Sequence, residues 1–149
     1  MTDELYDILT RPKRLREDIG VLDAKIDACL TGLLPGGIRY DLPKVQSSPR
    51  EKFSEIMAKV DELINAREDK AEKLFNSVSE INTLANRLES NTERAVIIMH
   101  YIGDLSLYKI GNKLGYSKSG VHHIWQRGID ELEIFIKEVK EETKETAEV

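Results

Sequence analysis

Leu114-Gly115-Tyr116-Ser117 leaves the chain around it few ways to fold. Ahead of it, Ser106 can start a short helix that keeps Leu107, Ile110 and Leu114 on one face at i, i+3 and i+7. Gly115 follows at once, where a helix C-terminus favours a residue that accepts positive φ. Tyr116 is the bridge. Ser117 is a good N-cap for the next helix, because its hydroxyl can accept a free backbone N–H. That second helix turns Val121, Ile124 and Gly128 inward and leaves Lys118, Ser119, His122, His123 and Gln126 outside. Gly111 stands where the two helices must come close.

Two short helices across a tight glycine turn, the second with a hydrogen-bonding outer face, form the pattern of a helix-turn-helix, whose second helix lies in the major groove of DNA. The residues Ile110-Gly111-x-x-Leu114-Gly115-Tyr116-Ser117, followed by Val121-x-x-Ile124, resemble region four of bacterial sigma factors. They are similar in particular to phage late-gene transcription regulators of the ArpU and RinA type. The resemblance extends over nearly the whole chain: a long heptad helix, a Pro-Gly-Gly loop, a second long helix, then this motif. It implies a scaffold helix from Arg94 to Ile102, a first motif helix from Leu107 to Leu114 and a recognition helix from Lys118 to Arg127. It also implies base reading from positions 118, 119 and 123, with 122 near the backbone. The pattern differs here in Lys109, which replaces the Glu of a capping box, in Lys118 and Ser119, which stand where Arg and Glu are usual, and in Gly120, which costs about 1 kcal/mol of helix propensity against Ala. The docking geometry carries over; a target sequence does not.

The segments before the motif are periodic. Leu5, Ile8 and Leu9 make a short amphipathic start, and Pro12 is expected to interrupt it, with Thr10 or Arg11 as cap and the proline at the first helical position. Leu15, Ile19, Leu22, Ile26, Cys29 and Leu33 then alternate spacings of four and three, a heptad seam. Cys29 lies on that seam, as a buried small hydrophobe or a reactive thiol. Leu34-Pro35-Gly36-Gly37 ends the helix, and residues 38–47 read as a loop in which Arg39 and Lys44 are solvated or touch a partner. No Gly-Lys-Ser/Thr follows the glycines, so a phosphate-binding P-loop is excluded. Ser48-Pro49-Arg50-Glu51 is a strong helix start. The helix it opens carries Phe53, Ile56, Val60, Leu63, Leu74, Val78, Ile81, Leu84 and Leu88 inward, diluted midway by Arg67 and Lys70, over about 60 Å. Ser90-Asn91-Thr92-Glu93 reads as a capping box and marks a boundary. Beyond it Ala95, Ile98, Met99 and Ile102 are expected to pack inward, and Gly103-Asp104 to turn the chain.

The expected fold is therefore all-α: a long antiparallel, coiled-coil-like helical hairpin over residues 1–90, a sigma region 4-like helix-turn-helix domain over 91–139, and a charged, frayed acidic tail over 140–149. The net charge of −5 is unevenly spread. Residues 1–90 hold 14 Lys or Arg against 17 Asp or Glu, residues 91–128 hold 5 against 2, and residues 129–149 hold 3 against 8. Only the motif segment is basic, and modestly so. Phosphate attraction grows with the number of contacts, so a homodimer or higher homo-oligomer is expected on duplex DNA, with host RNA polymerase a candidate further partner.

Base contacts are assigned to Lys118, Ser119, His122, His123 and Gln126, since the N-terminal part of a recognition helix reaches base edges. Lys can take guanine acceptors and Gln adenine. Phosphate contacts are assigned to Arg94, Lys109, Lys113, Ser117 and Arg127, and Trp125 to the core. No catalysis, cofactor or metal is expected. The three histidines are His100, His122 and His123, none in a metalloprotease spacing, and adjacent helical residues point about 100° apart. One cysteine, no apolar run of membrane-spanning length and no signal segment point to the cytoplasm of a bacterial host cell. Three functions fit: a phage or mobile-element regulator of late genes acting as an activator; a DNA-packaging initiator like a small terminase subunit; and a coiled-coil interaction module without DNA binding.

Overall fold

A computed structural model describes residues 1–32 and 49–147. The Leu33 end of the expected seam, the Pro35-Gly36-Gly37 break, the connection with Arg39 and Lys44, the Ser48 cap and the last two residues of the tail lie outside the described residues. Among the described residues all regular structure is helical: α1 (Asp3–Thr31), α2 (Pro49–Asn86), α3 (Asn91–Ile97), a π-helical turn (Ile98–Ile102), α4 (Leu107–Leu114) and α5 (Lys118–Ala147).

α1 runs unbroken through Pro12, against the expected interruption there. Leu5, Leu9 and Pro12 are spaced by four and three, and all three are fully buried on one face. The ring has no N–H for the helical ladder, but its burial offsets that loss. Neither expected cap is used. The Thr10 hydroxyl donates to the Tyr6 carbonyl at 2.7 Å, and the Arg11 guanidinium reaches Asp7 at 2.5 Å and Glu80 at 3.4 Å.

The chain forms two compact units, Leu15–Lys73 and Met1–Arg14 with Leu74–Val149. In the first, Leu15, Val60 and Leu63 are buried, while Ile19, Leu22, Ile26 and Cys29 are half-buried. The two polar residues in the α2 seam have partners on α1: Arg67 Nε donates to Asp23 at 2.5 Å and Lys70 Nζ to Asp18 at 3.3 Å. As the α1 number rises the α2 number falls, so the two segments run antiparallel. Such exposed pairs contribute about 0–1 kcal/mol each and act mainly on register. Phe53, expected inward, is 55% exposed. In the register of the Asp23–Arg67 pair, α1 as described ends before the level of Phe53.

In the second unit the ends of the long helices share one core with the C-terminal helices. Leu5, Leu9, Ile81, Ala85 and Leu88 pack with Ile97, Ile129, Leu132 and Ile136. This core crosses Ser90. A second cluster joins Val96, Ile110, Val121 and Ile124, and Trp125 packs against both. Within α3 the fully buried residues are Val96 and Ile97 rather than Ala95, which is only half-buried, as are Ile98, Met99 and Ile102. The π-helical turn adds a residue to the last winding of this helix. Gly103 N–H donates to the Ile98 carbonyl at 3.0 Å, and Asp104 takes φ 55° to turn the chain.

The Ser90 cap forms only half of its expected box. Ser90 Oγ accepts the Glu93 N–H at 3.3 Å, but the Glu93 side chain turns into the protein and is 9% exposed. α5 also departs from expectation, since it stays helical to Ala147 instead of fraying from Lys140. Lys140 is ion-paired with Glu4 on α1, and the hydroxyls of Thr143 and Thr146 bond back to the Val139 and Glu142 carbonyls. Among the described residues no helix is long and apolar enough to cross a membrane.

Candidate nucleic-acid interface

Two capped helix starts build the site. Ser106 Oγ accepts the Lys109 N–H at 3.3 Å and opens α4. Ile110 is fully buried on its inner face, and Gly111 next to it is also buried. Gly115 ends the helix at φ 80°, the left-handed region that L side chains avoid. Tyr116 N–H then donates to the Gly111 carbonyl at 2.8 Å, folding the turn flat against α4. A Cβ at Gly111 would stand 3.0 Å from the Tyr116 carbonyl oxygen and 3.4 Å from Val121 Cγ1, so the close approach expected there is real. Ser117 Oγ accepts the Gly120 N–H at 3.1 Å and opens α5. Val121 and Ile124 sink into the second core cluster, which fixes the outward angle of the residues between them.

The starts of α4 and α5 thus face one groove, a cavity of about 580 Å³. Its lining combines Leu107, Tyr108 and Val121 with Ser117, Lys118, Ser119, His122 and His123. Five of the residues assigned from the sequence are gathered here, all of them exposed. The His122 ring lies 5.4 Å from that of Trp125, and Trp125 Nε1 donates to the Tyr101 hydroxyl at 3.0 Å. Burial pushes the Tyr101 phenol above its ordinary range, with the bond from Trp125 acting against it. His122 therefore lies against Trp125, which is half-buried and packs against both core clusters rather than inside one.

The other assigned residues lie elsewhere. Gln126 is exposed, and its Nε2 donates to Asp130 Oδ1 at 3.0 Å, one turn along α5. Arg94 is half-buried, with its guanidinium donating to the Leu88 carbonyl at 2.6 Å and to Asn91 Oδ1 at 3.0 Å, where it holds the corner between α2 and α3. Lys109 and Lys113 are exposed on α4 but do not line the groove. Arg127 is mostly exposed, with its Nε 3.9 Å from Glu93 Oε1. Sequence reasoning missed Tyr108. The signal was available: with Leu107, Ile110 and Leu114 facing the core, an aromatic at 108 must face outward, and it is 67% exposed. Among the described residues no three His, Cys, Asp or Glu side chains are grouped to hold a metal ion.

The groove gathers an ammonium, three hydroxyls and two imidazoles beside the carbon of Leu107 and the Tyr108 ring. Among the described residues the chain is all-helical, with this groove at the start of its last helix. A family described as a protein of unknown function, DUF1492, matches residues 39–133, and the chain belongs to that family. The matched stretch contains the whole groove. No curated protein and no solved structure matches the chain.

Proposed function

We propose that this protein is a sequence-specific regulator of transcription that binds double-stranded DNA, with residues 118–127 as the recognition helix of a helix-turn-helix. The observation that carries the reading is the groove: a short capped helix, a left-handed glycine turn and a second capped helix present Ser117, Lys118, Ser119, His122 and His123 on one exposed face. A helix start can enter the major groove with its first residues at base edges and its cap at a phosphate. The antiparallel pairing of α1 with α2 serves in this reading as a helical hairpin that supports the domain and joins two copies. Dimerisation answers the modest charge of residues 91–128, because two basic faces double the phosphate contacts. The resemblance to phage late-gene regulators makes activation of phage or mobile-element late genes in a bacterial cytoplasm the reading's biological form, with polymerase a further partner. It is a binding role, with no catalytic step.

Selection from a random duplex pool at near-physiological salt tests the reading. Wild type should enrich a motif repeated about a two-fold axis, and Lys118→Ala/His123→Ala should lose it. Retention that vanishes with rising salt and yields no motif would sink the proposal. A second reading, a helical interaction module without DNA binding, is favoured by the exposed Phe53 and Phe75 on α2. It would take over on that outcome.

A further inference from the structure

We infer that the apolar floor of the groove reads thymine 5-methyl groups, so that the target places a thymine next to a base contacted by Lys118. The inference rests on the major-groove reading above and adds the base class to it. In the major groove the edges of the four base pairs are hydrogen-bonding groups, with the thymine C5 methyl the one apolar feature. The groove contains both kinds of surface. Lys118, Ser119, His122 and His123 supply polar groups, while the half-buried Leu107 and the exposed Tyr108 ring supply carbon above the buried Val121.

Core packing does not explain Tyr108. Its ring belongs to neither apolar cluster and stays 67% exposed at the second position of α4. Leu107 beside it is only half-buried, leaving part of its side chain on the same wall. An apolar wall that faces water in the free protein contributes only when the ligand covers it with carbon. Within duplex DNA the methyl of thymine is the group of the right size and place. An apolar side chain from a protein partner would fill the same floor, but it would leave the surrounding ammonium and imidazoles without acceptors.

The test exchanges thymine for uracil, which removes the methyl and keeps every hydrogen-bonding group. Each dT of a duplex enriched by the full-length wild type is replaced singly by dU, and equilibrium binding is measured at fixed salt. At one or two positions the loss should be about fourfold, the effect of one methyl withdrawn from an apolar contact. Tyr108→Ala, an exposed change that leaves the helix content of the circular dichroism spectrum unaltered, should bring the two duplexes to within about twofold of each other. Equal binding of thymine and uracil duplexes by wild type overturns the inference and leaves the DNA reading standing. So does a preference that survives Tyr108→Ala, because the methyl would then be read elsewhere. Failure to bind any duplex overturns both together.

Discussion

Glu93 stands between a cap and a core. Its N–H serves the Ser90 cap while its carboxyl is buried, and Oε2 has no hydrogen-bond partner. Burial first, and the nearby Glu131 carboxylate second, push its pKa above the ordinary 4.5, and Arg127 at 3.9 Å offsets this only in part. The folded state therefore holds this proton more tightly than the unfolded chain. The resulting stability is complete below 4.5 and is lost as pH rises through the raised folded value. Asp7 acts in the opposite sense. Arg14 and Arg11 hold its carboxyl below 3.8, so its contribution is present above that value and is lost as pH falls through the lower folded one. Stability should thus peak in mildly acidic solution. Urea unfolding should show wild type weakening from there to neutral pH, and Glu93→Gln should flatten that slope and exceed wild type at neutral pH. A wild-type midpoint that stays level over the window would contradict this. At the same scale, Lys118→Ala should cost about 1–3 kcal/mol of DNA affinity at one base position. Competition binding against single-base variants checks it; an equal loss on every sequence would make Lys118 a phosphate contact.

Among the elements, the start of α5 controls the candidate site. Ser117 satisfies a free N–H of the first turn, and Lys118, Ser119, His122 and His123 just after it line the groove. Ser117→Ala should remove about 1 kcal/mol, as loss of an N-cap does, and lower the melting temperature by about 3 °C. Hydrogen exchange should localise the change to the amides of residues 118–121. Protection unchanged there would mean that the cap is not what holds the turn. Farther along, the helix is held from outside itself. Trp125 ties it to Tyr101, and Lys140 ties it to Glu4. Past Lys140, the Thr143 and Thr146 hydroxyls bond back to carbonyls of the same helix.

At the scale of the molecule, the N-terminus is part of the unit that carries the site. Leu5 and Leu9 are almost fully buried in the cluster that contains Ile97, Ile129 and Leu132. Leu9→Ala should therefore destabilise the groove-bearing unit by about 2–5 kcal/mol, the range for a large-to-small change in a packed core. Trp125, the single tryptophan, packs against the same cluster and gives the readout. Its fluorescence should report the lowered midpoint although it lies over a hundred residues away in sequence. A midpoint unmoved at Trp125 would show that residues 1–14 are not part of this core.

The sequence by itself determined the helical class, the Ser106 and Ser117 caps, the left-handed turn at Gly115 and the outward face of Lys118, Ser119, His122 and His123. These are relations between near neighbours: a hydroxyl three residues from the N–H it accepts, a side chain placed by a helical period. Tertiary structure decided the rest. It seated Pro12 in a core, turned Glu93 inward against α5, drew Arg94 to the Leu88 carbonyl and set Tyr108 beside the start of α5. It also gave Arg67 and Lys70 their carboxylates on α1. Most of these depend on what lies across a helix interface, tens of residues away along the chain, and the nearer ones, Arg94 to Leu88 and Tyr108 to the start of α5, on turns that no helical period records; there burial and charge pairing outweigh local propensity.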